Sequence, residues 1–273
     1  MNKIPRQIHV TCRDKQQLVA YKVFLNSITQ YNAGWEIHLY DDRDIEDFIQ
    51  EHFPFLFEIY QAFPAAIQRM DLFRLLVVFV YGGFYMDADM YCLKSLEELC
   101  VFQLVLAEEK TLMMEECQAL HHEHSLRIAN YMFGSEPAHP FWLEAAGAVI
   151  ANINEPVLKE ADVLETTGPG LLTKAYHSLK DKYPEIELVR NETNLCLKEC
   201  SNVASCHFGD YAAHLHLGSW RWEYYTGYNA HIKGRPALQK AIEPEKLAAA
   251  MLVLYRLHNA TGNRLLNGST LST

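Results

Sequence analysis

The sequence predicts a single α/β domain, and three observations support this. The N-terminal half alternates short strand-like runs with longer segments of helical periodicity. At 49% hydrophobic and 21% charged residues, the chain can bury enough apolar surface to offset its ordering entropy, which excludes a disordered protein. Its 273 residues suit one large domain, or one domain with a small addition.

The elements follow in order. Ile4 to Val10 is short and apolar-rich and reads as a first strand. Lys15 to Tyr31 carries Leu18, Val19, Val23, Phe24 and Ile28 at helical spacing, and Asn32-Ala33-Gly34 ends that helix. Trp35 to Tyr40 alternates and reads as a second strand. Asp41-Asp42 opens the next helix, because carboxylates favour the positive end of the helix dipole. Pro54 and Pro64 punctuate an aromatic-rich helical segment. Ala65 to Tyr81 is a buried helix stopped by Gly82-Gly83, and Phe84-Tyr85-Met86 is a short strand. Gln103 to Ala107 and Ile186 to Val189 read as further strands. Phe141 to Ala151 and Leu171 to Lys182 read as helices, the second after a Thr167-Gly168-Pro169-Gly170 turn. Pro244 to Leu257 is a C-terminal helix with proline at its first position, where no backbone N–H is needed. From Gly262 on, the residues are small and polar and are expected to fray.

Composition narrows the function. With 24 Lys+Arg against 34 Asp+Glu, the net charge of −10 disfavours a nucleic-acid partner and suits a site that recruits a divalent cation. No apolar run approaches the roughly 20 residues of a membrane span; the longest, Leu72 to Tyr81, is interrupted by Arg74. Met1-Asn2-Lys3-Ile4-Pro5-Arg6 lacks the apolar core of a signal peptide, and the seven cysteines are odd in number. A reducing, cytoplasmic compartment is expected.

The chemistry concentrates between Ala65 and Leu96. Asp71 and Arg74 lie three apart on an otherwise apolar helix, hence on one face, where buried charge must be paired or used. A purely structural Asp71–Arg74 pair is the plain alternative. Gly82-Gly83 permits positive φ and close approach of a ligand to the backbone, and glycines also simply end helices. Asp87-Ala88-Asp89 follows an aromatic strand, so both carboxylates can reach one hard cation. Such a cation neutralises a diphosphate and activates a leaving group.

These residues and their surroundings resemble glycosyltransferase family 32, which includes yeast-type mannosyltransferases and bacterial capsule enzymes and is more distantly related to the clostridial glucosylating toxins. The family's I-P-x-x-I-H is similar to Ile4-Pro5-Arg6-Gln7-Ile8-His9, and its N-P-G-W-x-x-x-L-W-D-D to Asn32 through Asp42. Its D-x-x-R-x-x-x-L-x-x-x-G-G-x-Y-x-D-x-D is similar to Asp71 through Asp89, with Val78 in place of leucine. Asn130 to Phe133, His139-Pro140-Phe141, Thr167-Gly168-Pro169 and His214 to Trp220 echo later blocks in the same order.

The resemblance implies a GT-A fold, a Rossmann-like mixed sheet with helical insertions. It places the glycosyltransferase domain at 1–233 and a C-terminal helical extension with a frayed tail at 234–273. It implies a retaining transfer of a hexose from a nucleotide-sugar, a UDP-sugar or GDP-mannose, to a hydroxyl of a glycan or protein. Asp71, Arg74, Asp87 and Asp89 are the implied catalytic residues, with Asp71 and Arg74 holding the donor sugar. Asp87, Asp89 and His214 (or His216) are the implied ligands of Mn²⁺ or Mg²⁺; mixed imidazole and carboxylate favours Mn²⁺. Ile8, His9, Tyr81, Gly82, Gly83, Asn130, Gly168, Ser219 and Trp220 are the implied substrate-binding positions. One departure stands out: where relatives carry a base-stacking tryptophan, this chain has Cys12.

Two other clusters are set aside. Cys117, His121, His122 and His124, and Cys196, Cys200, Cys206 and His207, match no common zinc spacing. The competing functional readings are a non-catalytic nucleotide-sugar-binding protein on the same fold, and an effector that glycosylates a host protein.

Overall fold

The computed structural model describes residues 2–13, 15–16, 21–190, 207–215 and 241–267, with side chains to residue 261. Strand β1 (Gln7–Thr11) runs parallel to β2 (Glu36–Tyr40) on one side and to β3 (Gly83–Asp87) on the other. Parallel neighbours need crossovers. The first includes α1 (Lys22–Tyr31); the second is built from α2 (Asp42–His52), α3 (Phe57–Ala62) and α4 (Ala66–Tyr81). Beyond β3 the sheet turns antiparallel, through β7 (Met132–Ser135) to β5 (Leu104–Thr111). Strand β5 also pairs antiparallel with β6 (Leu126–Ile128) and parallel with β8 (Ile186–Val189), completing seven strands. A separate antiparallel sheet joins β4 (Met90–Cys92), β10 (Ala212–His214) and β9 (His207–Phe208). This is the Rossmann-like mixed α/β sheet the sequence predicts.

Strand alternation sorts the two faces. Ile8, Val10, Phe84 and Met86 enter a core with Met90, Tyr131 and Phe208. Tyr85 and Phe133 enter the opposite core, with the helices α4 and α6 (Phe141–Ala151). By the same period, Asp87 lies on the face of Tyr85. Ten residues of α4 are buried, which is why its apolar positions show no single face.

Several boundaries differ from expectation for identifiable reasons. Strand β5 continues past Ala107 as Glu108-Glu109-Lys110-Thr111, because β6 keeps pairing with it after its apolar run ends. The turn at Thr167 is tighter than expected, since α8 (Pro169–Leu179) takes Pro169 into its first turn. The expected start of α1 at Lys15 is replaced by Lys22; residues 14 and 17–20 lie outside the described ones. The terminal helix α9 (Pro244–Asn267) runs through Gly262, where fraying was expected; one glycine costs a helix only about 1 kcal/mol. It belongs to the main body: Ile242, Ala250 and Leu254 join the large core, and Asn154 exchanges two hydrogen bonds with the Ile242 backbone at 2.9 and 3.0 Å. The expected boundary at 233/234 falls outside the described residues. Among the described residues, no helix is long and apolar enough to cross a membrane.

Candidate functional site

The parallel register puts Thr11, Tyr40 and Asp87 together at the C-terminal ends of β1, β2 and β3. Open α/β sheets place their ligands at such an edge. Here the sheet brings the two charged motifs together. Arg74 is only 3% exposed and reaches Asp71 Oδ1 and Asp87 Oδ1, both at 3.4 Å. It donates to the Asn130 carbonyl at 2.7 Å, and its guanidinium carbon lies 4.7 Å from the centre of the Tyr85 ring. Its Nε is buried without a hydrogen-bond partner among the described residues, a spare donor inside the site.

Asp71 accepts from Asn130 Nδ2 at 3.1 Å and from the Thr167 hydroxyl at 2.7 Å. Burial pushes its carboxyl up to about 6, against the opposing pull of Arg74 and the Thr167 bond. Burial also raises Asp87, again against Arg74 and with Asp89 adding repulsion. The Tyr85 hydroxyl donates to Asp87 Oδ1 at 2.6 Å and lies 2.8 Å from Thr11 Oγ1. Asp87 is thereby held through one oxygen, Oδ1, by both Tyr85 and Arg74.

Asp89 sits in the turn between β3 and β4, and its Oδ1 is 3.2 Å from His214 Nε2 on β10. The pairing of β10 with β4, His214 opposite Met90, carries that histidine to the turn. Ligand atoms of Asp87, Asp89 and His214 lie within 4.8 Å of one another. Three carboxylates face one guanidinium here, leaving an excess of negative charge that favours a dication. Two hard oxygens and one imidazole fit Mn²⁺, and Mg²⁺ with water completing its shell. This is the one such group among the described residues. His122 and His124 are engaged elsewhere, on Glu165 and on the His177 ring, and Cys117 bonds the His124 carbonyl.

Asp71, Arg74, Asp87, Asp89, Asn130 and His214 therefore converge. Gly168 stands beside them as the N-cap of α8; the contact to Asp71 belongs to its neighbour Thr167. Ser219, Trp220 and His216 lie outside the described residues, as do Cys196, Cys200 and Cys206.

Five of the expected substrate-binding positions lie away from this edge of the sheet. Tyr81 ends α4, Gly82 caps it, and Gly83 begins β3 roughly 13 Å along the strand from Asp87. The space over the glycines is filled by protein: a Cβ at Gly82 would meet Pro137 at 2.8 Å and Pro5 at 2.9 Å, and one at Gly83 would meet Gln7 at 2.5 Å. The positive φ of both, +69° and +83°, serves the reversal from helix to strand. Ile8 is fully buried in the core. His9 is fully buried as well, bonded to the Gly82 carbonyl at 2.9 Å and the Tyr40 hydroxyl at 3.1 Å, and burial lowers it to about 4. The I-P-x-x-I-H block and the Gly-Gly pair thus hold each other. Cys12, which stands where relatives carry a base-stacking tryptophan, is 7% exposed, and its amide donates to the Tyr40 carbonyl at 2.9 Å.

Thr11, Tyr85 and Thr167 are site residues the sequence reading passed over. Tyr85 stands two before Asp87 on one strand face, a period-2 signal that was available. Thr167 lies in the quoted Thr-Gly-Pro block. Thr11 is fixed only by the β1–β3 register, which no local pattern carries.

Residues 19–145 match the family of the glycosyltransferase sugar-binding region containing a DXD motif. Inositol phosphoceramide mannosyltransferase 1 of Schizosaccharomyces pombe is 27% identical over 148 residues, covering 53% of this chain and 42% of that protein. Mannosyl phosphorylinositol ceramide synthase SUR1 of Saccharomyces cerevisiae is 24% identical over 177 residues, covering 65% and 43%. The chain spans less than half the length of these curated relatives. Among solved structures, mouse xyloside xylosyltransferase 1 overlaps with a TM-score of 0.46 at 11% identity, covering 78% of this chain and 98% of that one. PaToxG glycosyltransferase overlaps at 0.44 and 16% identity, covering 66% and 70%. The matched segment holds Asp71, Arg74 and both D-x-D carboxylates, so residues 19–145 are similar to the glycosyltransferase sugar-binding region containing a DXD motif, in the part of the chain where the site lies.

Proposed function

We propose that this protein transfers a hexose from a nucleotide-sugar to an acceptor hydroxyl, with retention of configuration and with a divalent ion in the site. The observation that carries the reading is the convergence of Asp87, Asp89 and His214 beside an Arg74 that is buried, fixed and supplied with a spare donor. Asp87, Asp89 and His214 would hold the ion, which when bound supplies Lewis-acid stabilisation of the departing diphosphate. Arg74 is preorganised by Asp71, Asp87, the Asn130 carbonyl and the Tyr85 ring, so its positive charge is already aimed when negative charge develops on the leaving group. Asp71, ionised above about pH 6, accepts hydroxyl hydrogen bonds of the donor sugar. No side chain is assigned as a nucleophile; retention is attributed to attack from the leaving-group side. UDP-hexoses are the favoured donors. GDP-mannose is the second choice, since the relatives' names describe mannosyltransferases. A glycan or protein hydroxyl is the proposed acceptor, and a cytoplasmic location goes with the same proposal.

The test is hydrolysis of a panel of nucleotide-sugars by the full chain with Mn²⁺, with and without excess chelator. Turnover of one or a few donors, abolished by chelator, is the expected result. Full activity in chelator removes the ion from the proposal; no turnover and no binding of any nucleotide-sugar or nucleoside diphosphate removes the proposal itself.

A further inference from the structure

Asp71 lies inside the site, yet one of its three partners, Thr167, follows an element with little apolar anchorage. Thr167 caps α7 (Glu160–Thr166), and that helix buries only Val163. One valine contributes about 1.5–3 kcal/mol, too little to fix a helix to a fraction of an ångström. Asn130 stands in the short link between β6 and β7. Its neighbours Ile128, Ala129 and Tyr131 are buried in the core and anchor it, so polar bonds are left to set where Thr167 meets Asp71.

Those bonds converge on one residue. Arg127, on β6 and 4% exposed, donates from Nε to Glu109 Oε2 at 2.7 Å and from Nη1 to Glu165 Oε1 at 2.8 Å. Glu109 belongs to β5, and Glu165 to the last turn of α7. The Glu165 carboxylate is seated on both oxygens: Oε2 lies 2.8 Å from His122 Nε2 and 3.6 Å from Lys174 Nζ. Gly170 leaves the room for it, since a side chain there would collide with that carboxylate. From Glu165 the chain runs directly to Thr167; from Arg127 it runs through Ile128 and Ala129 to Asn130. Both routes end on Asp71, and Asn130 ends on Arg74 as well. The other bond to the end of α7, from Asn152 Nδ2 to the Thr166 carbonyl at 2.9 Å, holds the helix to α6 and leaves its distance to β6 unset.

Resting on the glycosyltransferase reading, we propose that Arg127 is a positioning residue for transfer: by bridging Glu109 and Glu165 it holds Thr167 on the Asp71 carboxylate. Arg127 touches neither Asp71 nor the D-x-D carboxylates among its recorded bonds, and acts through the two elements it ties. A planar guanidinium suits the task because it spans two carboxylates at fixed angles. The plain alternative is an ion network that serves only the fold, which an apolar residue of similar volume replaces at little cost.

A double-mutant cycle on kcat separates the two. Arg127→Met, Thr167→Val and the double variant are compared in nucleotide-sugar turnover per folded protein, with donor KM and thermal unfolding measured alongside. Positioning predicts that each single variant loses ~10- to 100-fold in kcat, as small misplacements near a reacting centre do. The double variant should lose no more than the worse single one, because Arg127 acts through Thr167. If Arg127→Met unfolds, Glu165→Gln takes its place in the cycle, since it keeps shape and removes one arm of the bridge. Losses that multiply in the double variant, or full kcat per folded protein in Arg127→Met or Glu165→Gln, overturn the proposal. Failure of the glycosyltransferase reading itself shows separately, as a folded wild type that turns over no donor and binds no nucleoside diphosphate.

Discussion

Asp71→Asn separates a donor-binding carboxylate from a merely structural ion pair, because the two roles demand opposite effects on stability. Burial raises the Asp71 carboxyl from 3.8 to about 6 in the folded protein. The folded pKa lies above the unfolded one, so the folded state binds the proton more tightly. Stability linked to this group is present below pH 4 and is lost as pH rises through about 6. At about 1.4 kcal/mol per unit, keeping Asp71 ionised at neutral pH costs folding about 3 kcal/mol. Asparagine removes that cost and fits the surroundings: its oxygen can accept from Asn130 and Arg74, and its amide can donate to Thr167, whose hydroxyl turns to the Val163 carbonyl at 3.2 Å. The variant should therefore be as stable as wild type at pH 7.5, or up to about 3 kcal/mol more stable, with the difference growing between pH 4 and 6.5. Turnover should fall at least ~100-fold, the scale for losing one preorganised group in a water-poor site. Breaking a buried pair that only holds the fold costs ~3–5 kcal/mol. At ~2–4 °C per kcal/mol, that would lower the melting temperature by roughly 6–20 °C. Thermal scans across pH, paired with donor hydrolysis per folded protein, decide. A drop of that size with unchanged specific activity would refute the reasoning.

Asp89→Asn keeps size and hydrogen bonding but removes an anionic ligand, and should reduce both transfer and hydrolysis by at least ~100-fold, measured at saturating Mn²⁺. Gly83→Ala places a Cβ against Gln7 at a φ of +83° and should destabilise by roughly 2–4 kcal/mol in denaturant titration, with kcat per folded molecule unchanged. Unchanged stability there would return the glycines to a ligand-facing role. Cys12→Trp tests for a vacant base platform: the buried setting of Cys12 leads us to expect lower stability and no gain in nucleoside-diphosphate affinity by calorimetry. Tighter binding by the variant would show that the pocket has room for the ring.

The elements that sequence periodicity located best are those with a long or uniform apolar pattern. Phe141–Ala151 and Ile186–Val189 appear with the expected bounds, and α4 begins one residue late. Strands β6, β9 and β10 have two or three residues each, too few to show a period, and they are stabilised by partners distant in the chain. The site divides in the same way. Asp71, Arg74, Asp87 and Asp89 are close in sequence, and helix and strand geometry brings them together. His214 needed the order of family motifs, since only its pairing opposite Met90 carries it to Asp89. Arg127, Glu109 and Glu165 bear charges that look like solvated surface; their burial comes from tertiary packing that no local pattern reports. The placing of Ile8, His9 and Gly82-Gly83 away from the site edge has a related cause. A motif that reads as a ligand contact has residues fixed by contact with one another.

The most direct test of the central claim is electron paramagnetic resonance of Mn²⁺ titrated into the protein with saturating nucleoside diphosphate. The account predicts one tightly bound ion per chain in wild type. Asp89→Asn and His214→Ala should each weaken it at least ~10-fold, in line with loss of a ligand of the ion. Arg127→Met should leave it intact. Equal Mn²⁺ affinity in wild type and Asp89→Asn would contradict the account, because the ion would then be held somewhere other than the D-x-D turn.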